Sequence, residues 1–291
     1  MSDAPNTKST AATTAAATTQ AAVETFRLWE GRAPLAAGGE PRDVPEIRIF
    51  RPERADGSSI VVCPGGAYQN LAAHEADPVA RMLNGTGITG IVLKYRLAPR
   101  YRHPAPLLDA SRAIRTVRAR AKQWELDPKR VGVLGFSAGG HLAATLSTQY
   151  DQDERDARDP VDRESARPDV SVLCYAVLTL SGISAHTGSR KNLIGADASP
   201  ELIDALSAEK QVTPHTPPAF LFHTAADAGV PFENSVMYAT ALRKAGVPFE
   251  LHVYEPGRHG VGLAENDPAL KTWPALCQRW LALRKFGRMP E

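Results

Sequence analysis

The chain has 291 residues, 43% hydrophobic and 23% charged, which is enough apolar material to bury one large core and too much for an unfolded chain. A formal net charge of +2, with basic and acidic residues interleaved, supplies no electrostatic footprint for nucleic acid or for a membrane surface. Three cysteines, Cys63, Cys174 and Cys277, lie far apart without C-x-x-C spacing, which excludes a disulfide framework and predicts buried thiols suited to a reducing compartment.

Residues 1–25 are dominated by Ala and Thr, with no continuous apolar segment behind a basic start. They predict a disordered tail rather than a secretory signal, with a single domain over 26–291 and a cytoplasmic location. From Phe26 onward, strand and helix patterns alternate. Glu46 to Arg51, Ser59 to Cys63 and Ile88 to Tyr95 read as strands, with a helix around Pro78 to Leu83 between the last two. Leu107 to Trp124 carries an apolar stripe through Leu108, Ala110, Ile114, Val117 and Ala121, with Arg and Lys on the opposite face, and predicts a helix. Further strands are predicted at Val131 to Gly135, Val170 to Leu178, Ala219 to Thr224 and Glu250 to Tyr254. Helices are predicted at Leu142 to Gln149, Phe232 to Ala245 and Trp273 to Phe286. The longest apolar run, around Val170 to Leu180, is too short to cross a bilayer. Such alternation argues for an α/β fold with a mostly parallel central sheet and helices on both faces. Asp151 to Arg167 reads as a solvated, charge-dense loop. Ser181 to Thr213 joins two strands through a short helix at Pro200 to Ala208, and is long enough to form a wall beside the sheet edge.

The segment Gly135-Phe136-Ser137-Ala138-Gly139 fits G-x-S-x-G at a strand-to-helix junction, where a sharp turn exposes a serine hydroxyl at the top of a sheet. By itself the pentapeptide is also compatible with a glycine-rich packing turn. Partners decide between the two. In a parallel sheet the C-terminal ends of the strands share one edge, so residues just after strands converge there. Asp227 follows the strand ending at Thr224, and His259 follows the strand ending at Tyr254. Their order, Ser, Asp, His, is that of a hydrolase sheet carrying a catalytic triad. His259 is then the general base and Asp227 its orienter; an ordinary imidazole pKa of about 6.5 suits that work. His141 is assigned to packing or local hydrogen bonding, and Asp197 and Asp204 are rivals to Asp227 that lie away from a strand end. The run Ile60 to Tyr68 is a strand breaking into Pro64-Gly65-Gly66, where the N–H groups of Gly66 and Ala67 join that of Ala138 as oxyanion donors.

Taken in order, Pro64-Gly65-Gly66-Ala67-Tyr68, Tyr95-Arg96-Leu97-Ala98-Pro99, His103-Pro104-Ala105-Pro106, Gly135 to His141, Pro217 to Thr224 and Gly257-Arg258-His259-Gly260 resemble the α/β-hydrolase esterases of the acetyl esterase and acetylxylan esterase type. These are relatives of the hormone-sensitive-lipase-like group. The resemblance runs from about Phe26 to the C-terminus. It implies a single α/β-hydrolase domain that cleaves short-chain, especially acetyl, esters, on xylose-containing or other sugars, with no metal and no cofactor. Ser137, Asp227 and His259 fall on the family's triad positions. The chain departs from the lipase-like relatives at Pro64, where they carry histidine, and at Ala226, where a second aspartate is common. It also lacks their N-terminal hydrophobic cap, which fits a small acyl pocket.

Other motifs carry less. Gly85-Thr86-Gly87-Ile88-Thr89-Gly90 satisfies G-x-G-x-x-G but precedes a strand instead of following one, so it predicts a loop. His74-Glu75 lacks a third ligand at useful spacing. Arg96, Arg100 and Arg102 predict structural ion pairs. The expected partner is a small-molecule or oligosaccharide ester, with the number of associated chains left open. Two other classes remain at this point: a serine exopeptidase of prolyl-oligopeptidase type, and a non-catalytic ligand-binding protein on the same fold.

Overall fold

The computed structural model describes residues 23–150 and 157–290. Eight strands form one sheet: β1 (Glu24–Arg27), β2 (Glu46–Phe50), β3 (Ser59–Cys63), β4 (Thr89–Lys94), β5 (Val131–Phe136), β6 (Ser171–Cys174), β7 (Ala219–Thr224) and β8 (Phe249–Tyr254), in the order β1-β2-β4-β3-β5-β6-β7-β8. β2 pairs antiparallel with both β1 and β4, and every pairing from β4 across to β8 is parallel. The central strands β3, β5, β6 and β7 are largely apolar and buried at every position, as a parallel sheet covered on both faces requires.

Successive side chains of a strand point to opposite faces, and here the alternation sorts two cores. Val61 and Cys63 of β3 join the cluster under α2 (Ala105–Ala119), α4 (Ser137–Thr148) and α7 (Glu233–Lys244), whereas Ile60 and Val62 join the cluster under α1 (Asp77–Asn84) and α8 (Trp273–Leu283). In the second core Trp273 is fully buried and stacks on Phe222 at 4.9 Å. Truncating it would cost about 3–5 kcal/mol.

Several boundaries differ from the sequence expectation. Strand β1 begins at Glu24, inside the segment assigned to the tail; residues 1–22 of that tail lie outside the described residues. The strand expected over Val170 to Leu178 ends at Cys174, because Tyr175 adopts a left-handed φ of 36°. The apolar residues after it are buried without being strand, so their hydrophobicity signals the core and not the ladder. The helix expected over Leu107 to Trp124 is two helices, α2 and α3 (Ala121–Trp124), broken at Arg120. In the charge-dense insert, residues 151–156 lie outside the described residues. Beyond them the turn Pro160–Arg163 is not simply solvated: Asp159 and Asp162 pair with the buried guanidinium of Arg112 at 2.5 and 2.7 Å. The connection over Ser181 to Thr213 holds α5 (Thr187–Ile194), which the sequence pattern missed, and α6 (Pro200–Ala205). No helix among the described residues is long and apolar enough to cross a membrane.

Candidate active site

β5 ends at Phe136 and α4 starts at Ser137, whose φ of 50° puts a residue with a side chain in the left-handed region. Such strain persists only where the surroundings impose it. The glycines show how. A Cβ on Gly135 would lie 2.2 Å from the Gly139 carbonyl oxygen, and one on Gly139 would lie 2.1 Å from the Cys63 carbonyl oxygen. The turn therefore closes against the end of β3 only without those side chains, and it leaves the Ala138 N–H in the first turn of α4, where helix donors have no internal acceptor.

The residues predicted to converge do meet. Ser137 Oγ–H donates to His259 Nε2 at 2.8 Å, and His259 Nδ1–H donates to Asp227 Oδ2 at 2.7 Å. A carboxylate only accepts, so its bond to Nδ1 fixes the proton there and leaves Nε2 free to take one from the serine. Asp227 Oδ1 accepts the N–H groups of Gly229 and Val230 at 2.8 and 2.9 Å. Burial opposes ionisation of Asp227, but the His223 imidazole 3.6 Å away, the hydrogen bond from His259 and the Val230 N–H outweigh it and hold the carboxyl well below the usual carboxylate range. His223 is itself fixed: its Nε2–H donates to the Val230 carbonyl at 2.9 Å and its Nδ1 accepts from Ser235 Oγ–H at 2.8 Å. Among the described residues, neither rival carboxylate, Asp197 or Asp204, forms a hydrogen bond or ion pair with His259, and Asp204 pairs with Lys210 instead.

Beside the serine, Gly66, Ala67 and Tyr68 have φ of 127°, 52° and 61°, a run of left-handed residues of the kind that turns successive N–H groups into an anion cradle. The N–H groups of Gly66 and Ala67 donate to no acceptor among the described residues, whereas the Gly65 N–H is committed to Glu75 Oε2 at 2.8 Å. The loop is braced by Tyr95, which donates to the Pro64 carbonyl at 2.6 Å, and by Asn192 of α5, which donates to the Ala67 carbonyl at 2.8 Å. His141 Nε2–H donates to the Leu206 carbonyl at 2.8 Å and its Nδ1 accepts from Tyr68 at 2.7 Å. Burial pushes that imidazole down to about 4, so it is a neutral brace.

The remaining candidates separate cleanly. Arg96 is bound to the buried Asp109 at 2.7 Å, and Arg100 to Asp43 at 2.6 Å, so these two guanidinium groups serve the scaffold. His74-Glu75 joins no metal cluster; no group of three or more His, Cys, Asp or Glu side chains suited to a metal ion occurs among the described residues. Sequence reasoning missed Glu75, Tyr175, Asn192 and His223 as neighbours of the site. The signal for Glu75 was an acid set among alanines in Ala72-Ala73-His74-Glu75-Ala76, shortly after the glycine loop.

Residues 47–242 match the BD-FAE family model. The endo-1,4-beta-xylanase B of Butyrivibrio fibrisolvens is 36% identical over 217 residues, covering 74% of this chain and 34% of its own length. The acetylxylan esterase of Xylanibacter ruminicola is 36% identical over 222 residues, covering 75% of this chain and 44% of its own. The chain thus spans less than half the length of these two relatives. Among solved structures, the acetyl ester-xyloside bifunctional hydrolase of Caldicellulosiruptor lactoaceticus superposes with a TM-score of 0.85 at 46% identity, covering 90% of this chain and 97% of that one.

Proposed function

Since this chain belongs to the BD-FAE family of α/β hydrolases, we propose that it is a serine esterase that removes short acyl groups, acetyl above all, from acetylated sugars such as xylo-oligosaccharides. The observation that carries the reading is the unbroken hydrogen-bonded chain from Ser137 through His259 to Asp227 beside a loop with two uncommitted N–H groups. The likeness to an acetylxylan esterase and to an acetyl ester-xyloside hydrolase supports the substrate class.

In this mechanism His259 Nε2 takes the proton of Ser137 Oγ as the oxygen attacks the ester carbonyl, forming a C–O bond and moving the carbonyl electrons onto oxygen. Gly66, Ala67 and Ala138 donate their N–H groups to that oxyanion, each such donor being worth about 10² to 10³ in rate when preorganised. Collapse expels the sugar alkoxide, which leaves with the proton from His259. Water, deprotonated by the same imidazole, then cleaves the acyl-enzyme to acetate. Asp227 stays ionised throughout and stabilises the imidazolium. Three free, buried thiols, Cys63, Cys174 and Cys277, support a reducing, cytoplasmic setting.

The test is acetate release from p-nitrophenyl acetate and from acetylated xylo-oligosaccharides. Wild-type protein turns both over, p-nitrophenyl esters are cleaved more slowly as the acyl chain lengthens, and Ser137→Ala loses activity by about 10⁴-fold or more. Unchanged turnover in that variant rejects the assignment. Cleavage of proline-containing peptide amides with negligible ester hydrolysis selects an exopeptidase, and binding without turnover selects a receptor.

A further inference from the structure

Glu75 is a carboxylate to which the mechanism above gives no role. It is 2% exposed, and each of its oxygens is held by a different loop of the site. Oε2 accepts the Gly65 N–H at 2.8 Å, and Oε1 accepts the Tyr175 O–H at 2.7 Å. The Tyr175 oxygen in turn accepts the N–H of Gly262 at 2.9 Å, three residues beyond His259. Gly262 is pinned on its other side as well, since its carbonyl accepts Trp273 Nε1–H at 3.1 Å, and His74 Nε2–H donates to the Gly260 carbonyl at 3.1 Å. A continuous path therefore runs from the loop that carries the free N–H groups to the loop that carries the imidazole. Midway along it, the Tyr175 ring stands edge-on to His259 at 5.2 Å. Burial first, and then the charge of Glu75, push the Tyr175 phenol well above its ordinary range, so it keeps its proton and remains the donor.

Packing does not call for a carboxylate here. Desolvating one is costly, and an apolar side chain of similar volume often serves folding as well or better. What an apolar residue cannot do is hold a Gly65 N–H with one atom and a phenol with another. Resting on the esterase reading, we propose that Glu75 is a positioning residue that fixes the spacing between the oxyanion donors of Gly66 and Ala67 and the imidazole of His259. Those two groups must act together only when negative charge forms on the substrate oxygen while the imidazole is protonated. Loosening their spacing therefore raises the barrier and leaves ground-state binding of the ester almost untouched.

The experiment uses the full chain as wild type, Glu75→Gln, Glu75→Leu and Tyr175→Phe, with Ser137→Ala alongside. Each protein is titrated to completion with a serine-reactive p-nitrophenyl phosphonate, and turnover of p-nitrophenyl acetate is expressed per titrated site, so that misfolded molecules drop out of the rate. The expected result is a kcat per site lowered about tenfold in Tyr175→Phe and further in Glu75→Leu, with KM within about twofold of wild type. Glu75→Gln falls between wild type and Glu75→Leu, because its amide oxygen still accepts one N–H. An unchanged kcat per site in Tyr175→Phe, or a raised KM at constant kcat, overturns the positioning role. If Glu75→Leu yields no titratable protein, Tyr175→Phe decides alone, since it removes one oxygen and keeps the ring against His259. A wild type without turnover, or turnover that survives in Ser137→Ala, rejects the esterase reading instead.

Discussion

At Gly66 the main chain has a φ of 127°, and an added Cβ would lie 2.2 Å from the Asn70 carbonyl oxygen. Both terms act on one residue: a side chain is disfavoured there by backbone conformation and has no room beside a rigid acceptor. Gly66→Ala is therefore expected to displace the left-handed loop and withdraw oxyanion donors, lowering kcat for p-nitrophenyl acetate by about 10²-fold. Gly246→Ala is the control: it has a φ of 72° and open space around its Cα, so it costs about 1 kcal/mol of thermal stability and leaves kcat alone. Equal losses of kcat in the two variants would show that strain, and not the N–H cradle, sets the effect. At this scale the sequence is most legible where chain direction does the work. The meeting of Ser137, Asp227 and His259 is legible because each follows a parallel strand, and strand ends share an edge. That of Glu75 and Tyr175 is not, since one sits in a short turn and the other in an apolar run, and only the folded chain brings their oxygens together.

The same contrast holds for whole elements. Short apolar runs buried at every position identify β3, β5 and β7 because those strands are covered on both faces, but the apolar run after β6 mimics a strand while packing as irregular chain from Tyr175 onward. β1 is four residues long and largely exposed, and has no hydrophobic period to detect. α5 has only Ser189 and Leu193 buried, too little for a stripe, yet its Asn192 reaches the Ala67 carbonyl across 2.8 Å. That contact makes the long connection over 181–213 a brace for the glycine loop of the proposed oxyanion donors. Removing it in Asn192→Ala frees the carbonyl of the peptide group that directly follows the two proposed donors. The expected outcome is a kcat lowered about tenfold with KM little changed, and a loss of stability of no more than about 1 kcal/mol for a half-buried hydrogen bond. Steady-state kinetics and a melting curve on one preparation check both; an intact kcat would mean that Tyr95 and the turn itself hold the loop.

For the molecule as a whole, the two cores bury imidazoles that must stay neutral, and this couples folding to acid. Burial pushes His141 down to about 4, against about 6.5 in an unfolded chain. Its contribution is fully present above pH 6.5 and is lost as pH falls toward 4, because only the unfolded state then gains the proton. One such group removes about 1.4 kcal/mol per pH unit across that window, or about 3 kcal/mol in all. His103, lowered by burial, and His186, lowered by burial and by His259, add in the same direction. Below about pH 4 Asp227 joins them: burial works against its charge, but its hydrogen bonds keep the folded carboxyl ionised to lower pH than the unfolded one. Urea unfolding at pH 7 and pH 5 should therefore show a loss of about 2 kcal/mol from His141 alone. His141→Gln lacks the titrating ring, so it is less stable at pH 7 but loses correspondingly less between the two pH values. Parallel losses in wild type and variant would place the acid sensitivity elsewhere in the fold, since no other change in the variant alters the number of protons taken up on unfolding.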